Sequence, residues 1–145
     1  SKILPILVPP RDSAIETGYA VGTILSQIKD EKIICIASTD LTHYGPRYGF
    51  TPMGIGQQAL EWAHKVNDMK FIELALNMET EELLSNSAEN GNACGPGAVA
   101  AVIAAAKKLG PQKGVLLGHT NSNEVLLNMG GHAGNDSVGY ASIIY

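Results

Sequence analysis

The residues best equipped for chemistry lie in two short polar stretches. The first is Ser38-Thr39-Asp40-Leu41-Thr42-His43-Tyr44-Gly45. A carboxylate and an imidazole three residues apart in a loop can converge on one point. Asp40 can then hold the His43 ring in one tautomer or share a proton with it, while His43 acts as general acid or base near neutral pH. The same spacing suits an Asx-turn beside a hydrogen-bonded loop histidine, and a lone D-x-x-H is a weak motif. The second stretch is Asn90-Gly91-Asn92-Ala93-Cys94-Gly95-Pro96-Gly97. Pro96 fits a first helical turn, which puts Cys94 at or just before the cap. A helix N-terminus favours anions, so a thiolate there is stabilised and suits a metal ligand or a redox thiol. The plainer reading is a small residue where glycines let the backbone approach its neighbours.

The other candidates are weaker. His64 lies in a helical stretch near Trp62 and reads as structural. His119 ends a strand before Thr120-Asn121-Ser122, where a ligand loop is conceivable, and His132 sits among glycines. Cys35 lies in an apolar run and reads as a buried hydrophobe. The pattern G-x-G-x-x-A occurs at Gly54–Ala59 and Gly95–Ala100, but neither directly follows a predicted strand, as a dinucleotide site requires. There is no G-x-x-x-x-G-K-[ST] loop and no G-x-S-x-G elbow.

These stretches need a scaffold, and the pattern predicts one. Ile3–Val8 and the run Ile33 to Ala37, within Lys32–Thr39, read as strands; the second is apolar on both faces, as a central parallel strand is. Helices are predicted over Asp12 to about Ile28, Ile55–Val66, Lys70–Leu76, Thr80–Ser85 and Pro96–Leu109. Val115–Leu117 and Val138–Tyr145 give two more strands, with loops at Asp40–Pro52, Ser87–Gly95 and Thr120–Ser137. The expected fold is α/β: a layered sheet of about four strands, mostly parallel or mixed, covered by helices. Both chemical stretches then fall in loops at the sheet's rim, where ligands bind in open α/β sheets. The chain starts directly on a core strand with no helix before it, so a preceding portion of the domain is expected.

Bulk properties narrow the function. The chain has 145 residues, 45 % hydrophobic and 17 % charged, which suits one soluble domain, or part of one, with a real core. The net charge is −4 and the only adjacent basic pair in a helix end is Lys107-Lys108, so neither a nucleic-acid face nor a polybasic membrane anchor is expected. Two cysteines make no disulfide framework. With no leader pattern and no apolar stretch of about 18 residues, the cytoplasm is the default compartment.

In order and at matching separations, four segments resemble the Memo family, the B component of the AmmeMemoRadiSam system. They are Ile3–Val8, Ile36-Ala37-Ser38-Thr39-Asp40-Leu41-Thr42-His43-Tyr44-Gly45, Cys94-Gly95-Pro96 and Ser137-Val138-Gly139-Tyr140-Ala141-Ser142. The likeness covers essentially the whole chain but only the latter half of a typical member. The family looks related in fold to class III extradiol dioxygenases, which use non-haem iron. That resemblance implies that His43 matches an acid–base histidine, that Asp40 neighbours it, and that Cys94 takes a metal-ligand position. It also implies that further metal-site histidines belong to the N-terminal half of the family domain. Iron or copper would then be weakly held or absent here unless an N-terminal half or another chain completes the site.

Three readings follow. One is a redox or oxygenase-type metalloprotein. A second is a non-enzymatic protein of the same fold that binds a peptide or small ligand. A third is a cysteine-dependent hydrolase using Cys94 and His43.

Overall fold

The computed structural model describes residues 2–145. In chain order its elements are α1 (Ser13–Gln27), β1 (His43–Tyr44), a 3₁₀ turn (Pro46–Tyr48), α2 (Gln57–Trp62), a π turn (Ala63–Asn67), α3 (Asp68–Leu76), α4 (Thr80–Asn90), α5 (Pro96–Leu109), β2 (Val115–Asn121), α6 (Ser122–Asn128) and β3 (Ser137–Ile144). The ends of α5 are those its sequence predicts. Pro96 occupies the first turn, where a missing N–H costs nothing, and Gly110 closes the helix in the left-handed region at φ 119°.

Helices α1 and α5 pack against each other at very short range, and glycine makes this possible. A Cβ on Gly18 would lie 2.2 Å from the Ala101 carbonyl oxygen, and one on Gly22 would lie 2.7 Å from that of Ala105. The glycines therefore weaken α1 as a helix while letting it close on the alanine face of α5. The main core collects Ala14, Phe71, Ile72, Met78, Leu83, Ile103 and Ala104, all nearly inaccessible. A second cluster holds Tyr44, Ala59, Leu60 and Ala63.

Two predicted helices, Ile55–Val66 and Lys70–Leu76, form one continuous helical stretch from Gln57 to Leu76, joined by the π turn. The turn is defined by the Asp68 N–H donating to the Ala63 carbonyl five residues back. Apolar periodicity shifts phase across such an insertion, so a sequence reading splits the helix there. Helix α4 runs past its predicted end to Asn90 and stops at Gly91 in the left-handed region.

The sheet differs more. Among the described residues it has three strands in the order β1-β3-β2, antiparallel throughout, rather than about four that are mostly parallel or mixed. Within the described residues, 3–8 and 32–39 form no regular element and pair with no strand. Their isoleucines and leucines stay in solvent, Leu7 98 % exposed and Ile34 and Ile36 each 84 % exposed, while Val8 packs partly buried against the main core. Cys35 is likewise exposed rather than buried. The reason is physical: an apolar β-branched run specifies a strand only when a neighbouring edge supplies its hydrogen bonds. The stretch Thr120–Ser137, expected as a loop, contains the end of β2 and all of α6. Helix α6 is capped by the Asn121 side chain, whose Oδ1 accepts the Glu124 N–H at 3.0 Å. Its seven residues are too few to display a period. No helix among the described residues is long and apolar enough to cross a membrane.

Candidate metal and proton-transfer site

The loop before β1 and the segment leading into α5 are tied by reciprocal hydrogen bonds. The Cys94 N–H donates to the Asp40 carbonyl at 3.2 Å, and the Asp40 N–H donates to Cys94 Sγ at 3.3 Å. The Gly95 N–H donates to Thr39 Oγ1 at 2.8 Å, while the Thr39 hydroxyl lies 3.7 Å from the sulfur. Gly95 is needed here: a Cβ would sit 2.9 Å from the Ser38 carbonyl oxygen. This lock brings Asp40, His43 and Cys94 together, with one ligand atom from each inside a 4.8 Å span.

His43 Nε2 is 3.2 Å from Asp40 Oδ2, with both side chains partly open to solvent, and Cys94 is exposed. The three groups line an accessible rim, not a sealed cavity. The sulfur accepts the Asp40 N–H from across the two loops. The His43 ring also packs against Tyr48, centroid to centroid 5.1 Å.

What fixes this rim lies beneath it. Strand β1 pairs with β3, His43 opposite Val138, and the Leu41 N–H donates to the Gly139 carbonyl at 2.9 Å. The Thr42 N–H donates to the buried Asp68 carboxylate at 2.9 Å, and Asn67 Nδ2 donates to the Thr42 hydroxyl at 3.1 Å. Tyr44, fully buried, accepts the Met53 N–H and donates to the Gly54 carbonyl, both at 3.0 Å, which closes the loop after His43. His43 is thus a half-exposed side chain on a backbone whose neighbours on both sides are buried and bonded.

Sequence reading did not assign Tyr48 or Tyr140 to this rim. Tyr140 faces it from β3. Its phenol is held above the usual range first by partial burial, then by the Asp40 carboxylate and Tyr48. Tyr140 lies in the Val138-Gly139-Tyr140-Ala141 segment, where strand pairing sets it opposite Thr120 of β2. His132 is exposed in its glycine-rich loop and joins neither cluster.

His64 and His119 meet elsewhere. Their rings stack at 4.0 Å beside Asp68, to which His119 Nε2 is bonded at 3.1 Å. Burial, and then the adjacent His119 ring, hold His64 below the usual imidazole range despite the opposing carboxylates of Glu124 and Asp68. The Thr120 hydroxyl, 2.7 Å from Glu124 Oε2, holds that carboxyl below its usual range.

Comparison with known proteins agrees with the motif reading. The family model described as Memo-like protein matches residues 1–144. A MEMO1 family protein of Pyrococcus furiosus is 35 % identical across 99 % of this chain and 48 % of its own length. One from Nitrosopumilus maritimus is 37 % identical over 86 % of this chain and 40 % of its own, and one from Methanosarcina barkeri is 33 % identical over 99 % and 48 %. The chain therefore spans about half the length of the curated relatives it matches.

Proposed function

The chain belongs to the Memo-like family, and from that premise we propose that Asp40, His43 and Cys94 form part of a redox-type metal pocket. The single observation behind this reading is the convergence of a sulfur, an imidazole nitrogen and a carboxylate oxygen within 4.8 Å. The donor set fits a transition metal: a thiolate suits copper(I) or iron, and imidazole and carboxylate suit iron. Cys94 would hold the ion, with the missing ligands drawn from the remainder of a family-length protein or from another chain. A bound iron or copper ion would supply electron transfer or polarise a substrate oxygen.

The chain's own residues do the proton work in this reading. Asp40 accepts from His43 Nε2, so the neutral ring presents the Nδ1 lone pair as its base. Tyr48 confines the ring and Tyr140 borders the carboxylate. Both chemical loops stand on bonded backbone, which keeps the groups in register without a lid. The same reading takes residues 3–8 and 32–39 as strands of the whole domain, in keeping with their exposed isoleucines and leucines. A non-catalytic pocket for a peptide or small ligand is the alternative, favoured by the open rim.

The test is metal analysis with anaerobic iron(II) and copper(I) titration of the full-length protein, beside Cys94→Ala and His43→Ala. Cys94→Ala is expected to lower affinity at least about tenfold, the scale of losing even an outer partner of a metal site. Absence of metal uptake by the intact protein would eliminate the metal reading and leave the ligand-binding one.

A further inference from the structure

We propose that His64, Asp68 and His119 form a second metal site, built from nitrogen and oxygen donors only, with a fourth position left to solvent, and selective for a zinc-class divalent cation.

One ligand atom from each of His64, Asp68 and His119 falls within a 4.8 Å span. His119 Nε2 is 3.1 Å from Asp68 Oδ2, and His64 Nδ1 is 3.9 Å from the same oxygen. Zinc binds nitrogen and carboxylate oxygen at about 2.0–2.2 Å, so the edges of its tetrahedron run to roughly 3.3–3.5 Å. The observed separations bracket that length. Glu124 Oε1 lies 3.5 Å from His64 Nε2, the ring nitrogen turned away from Asp68, so it serves as the outer carboxylate partner of a histidine that ligates through Nδ1.

Two features argue for an ion over a purely structural cluster. His64 Nδ1 is buried and has no hydrogen-bond partner, a state that a folded protein ordinarily avoids. Asp68 Oδ1 is already satisfied by the Thr42 N–H, which orients Oδ2 toward both histidines as the outer partner of a metal ligand does. The backbone is shaped to match. The π turn Ala63–Asn67 sets His64 and Asp68 on one side, and Gly139 leaves room for the carboxylate, since a Cβ there would lie 2.1 Å from Oδ2.

Entry is open as well. A cleft of about 160 Å³, bordered by His64, Glu124, Gln57, Glu61 and Lys65, lies on the solvent side, and the Lys65 charge is paired with Glu61 at 3.6 Å. The two rings stack at 4.0 Å with 29° between their planes, so a shared ion requires them to splay, and the cleft gives His64 the space. The site differs in chemistry from the thiolate rim, which permits a clean separation.

The experiment titrates zinc alone, against a competing chelator, into the full chain carrying Cys94→Ser, with His64→Gln and His119→Gln added singly. His64→Gln leaves the Asp68 bonds to Thr42 and His119 in place, and circular dichroism checks that the fold persists. The expected result is one zinc per chain in the Cys94→Ser background and at least a tenfold weaker affinity in each histidine variant. Cobalt(II) in the same background should give a tetrahedral ligand-field band without thiolate charge transfer. Loss of zinc uptake on Cys94→Ser alone, or unchanged affinity in a folded His64→Gln protein, would overturn the proposal.

Discussion

At the scale of single residues, the candidate rim depends on hydrogen bonds whose partners lie far apart in sequence. Asp40 and Cys94 are 54 positions apart, yet each donates a backbone N–H to the other's carbonyl or sulfur. The Asp40–His43 contact is local, and it carries a tautomer argument. In the proposed reading Asp40 Oδ2, 3.2 Å from Nε2, is the acceptor that keeps the ring proton there. Asp40→Ala removes the acceptor, so ¹⁵N NMR of the His43 ring should move toward a mixture with substantial Nδ1–H. An unchanged tautomer ratio would mean that Asp40 does not orient the ring. The residue types and the three-residue spacing were readable beforehand. The convergence with Cys94 was not, because it comes from the loop lock, and neither was the contact with Tyr48, which the turn after β1 brings back onto the ring.

At the scale of elements, α5 was the most legible. Its alanine run, its proline and its glycine stop act locally, and local signals survive in any tertiary context. The α1–α5 contact tests how far small residues go beyond helix propensity. Gly→Ala within a helix normally gains roughly 0.5–1 kcal/mol. At Gly18 the added methyl would meet the Ala101 carbonyl at 2.2 Å, and overpacking costs typically about 1–3 kcal/mol. The clash outweighs the propensity, so Gly18→Ala should lower the urea midpoint with an unchanged slope. A rise in the midpoint would mean that the helices are not in contact as described. The split of the 57–76 helix in the sequence reading has the opposite origin. A π turn is stabilised by tertiary bonds, here the Asn92 Nδ2 donating to the Asn67 carbonyl at 3.1 Å, and leaves no local signature.

For the molecule as a whole, the last residue ties the sheet to the helices. Tyr145 packs against the core, and its hydroxyl donates to the Ala75 carbonyl of α3 at 3.1 Å. Burial pushes its phenol up from 10.0 to about 12. The folded state thus holds the proton more tightly than the unfolded chain does. The stabilising contribution is present in full below about pH 10 and is lost as pH rises through about 12. Chemical denaturation of wild type against Tyr145→Phe should therefore show wild type ahead at neutral pH, by about 1 kcal/mol for the hydrogen bond. The gap should close between those two values. A gap independent of pH would show that the phenol is not buried in the fold.

The limits of the sequence have one cause. Elements held by local signals, such as α1, α4, α5 and β3, were legible because capping, periodicity and turn residues act within a few positions. So were the chemical residue types and the Memo-like motifs. Residues 3–8 and 32–39 were read as core strands from composition, yet in this structure their isoleucines and leucines stay exposed. Strand pairing, burial and the meeting of His64, Asp68 and His119 are set by groups that approach from distant parts of the chain. Those groups interact through space, and only the tertiary structure determines which of them come close.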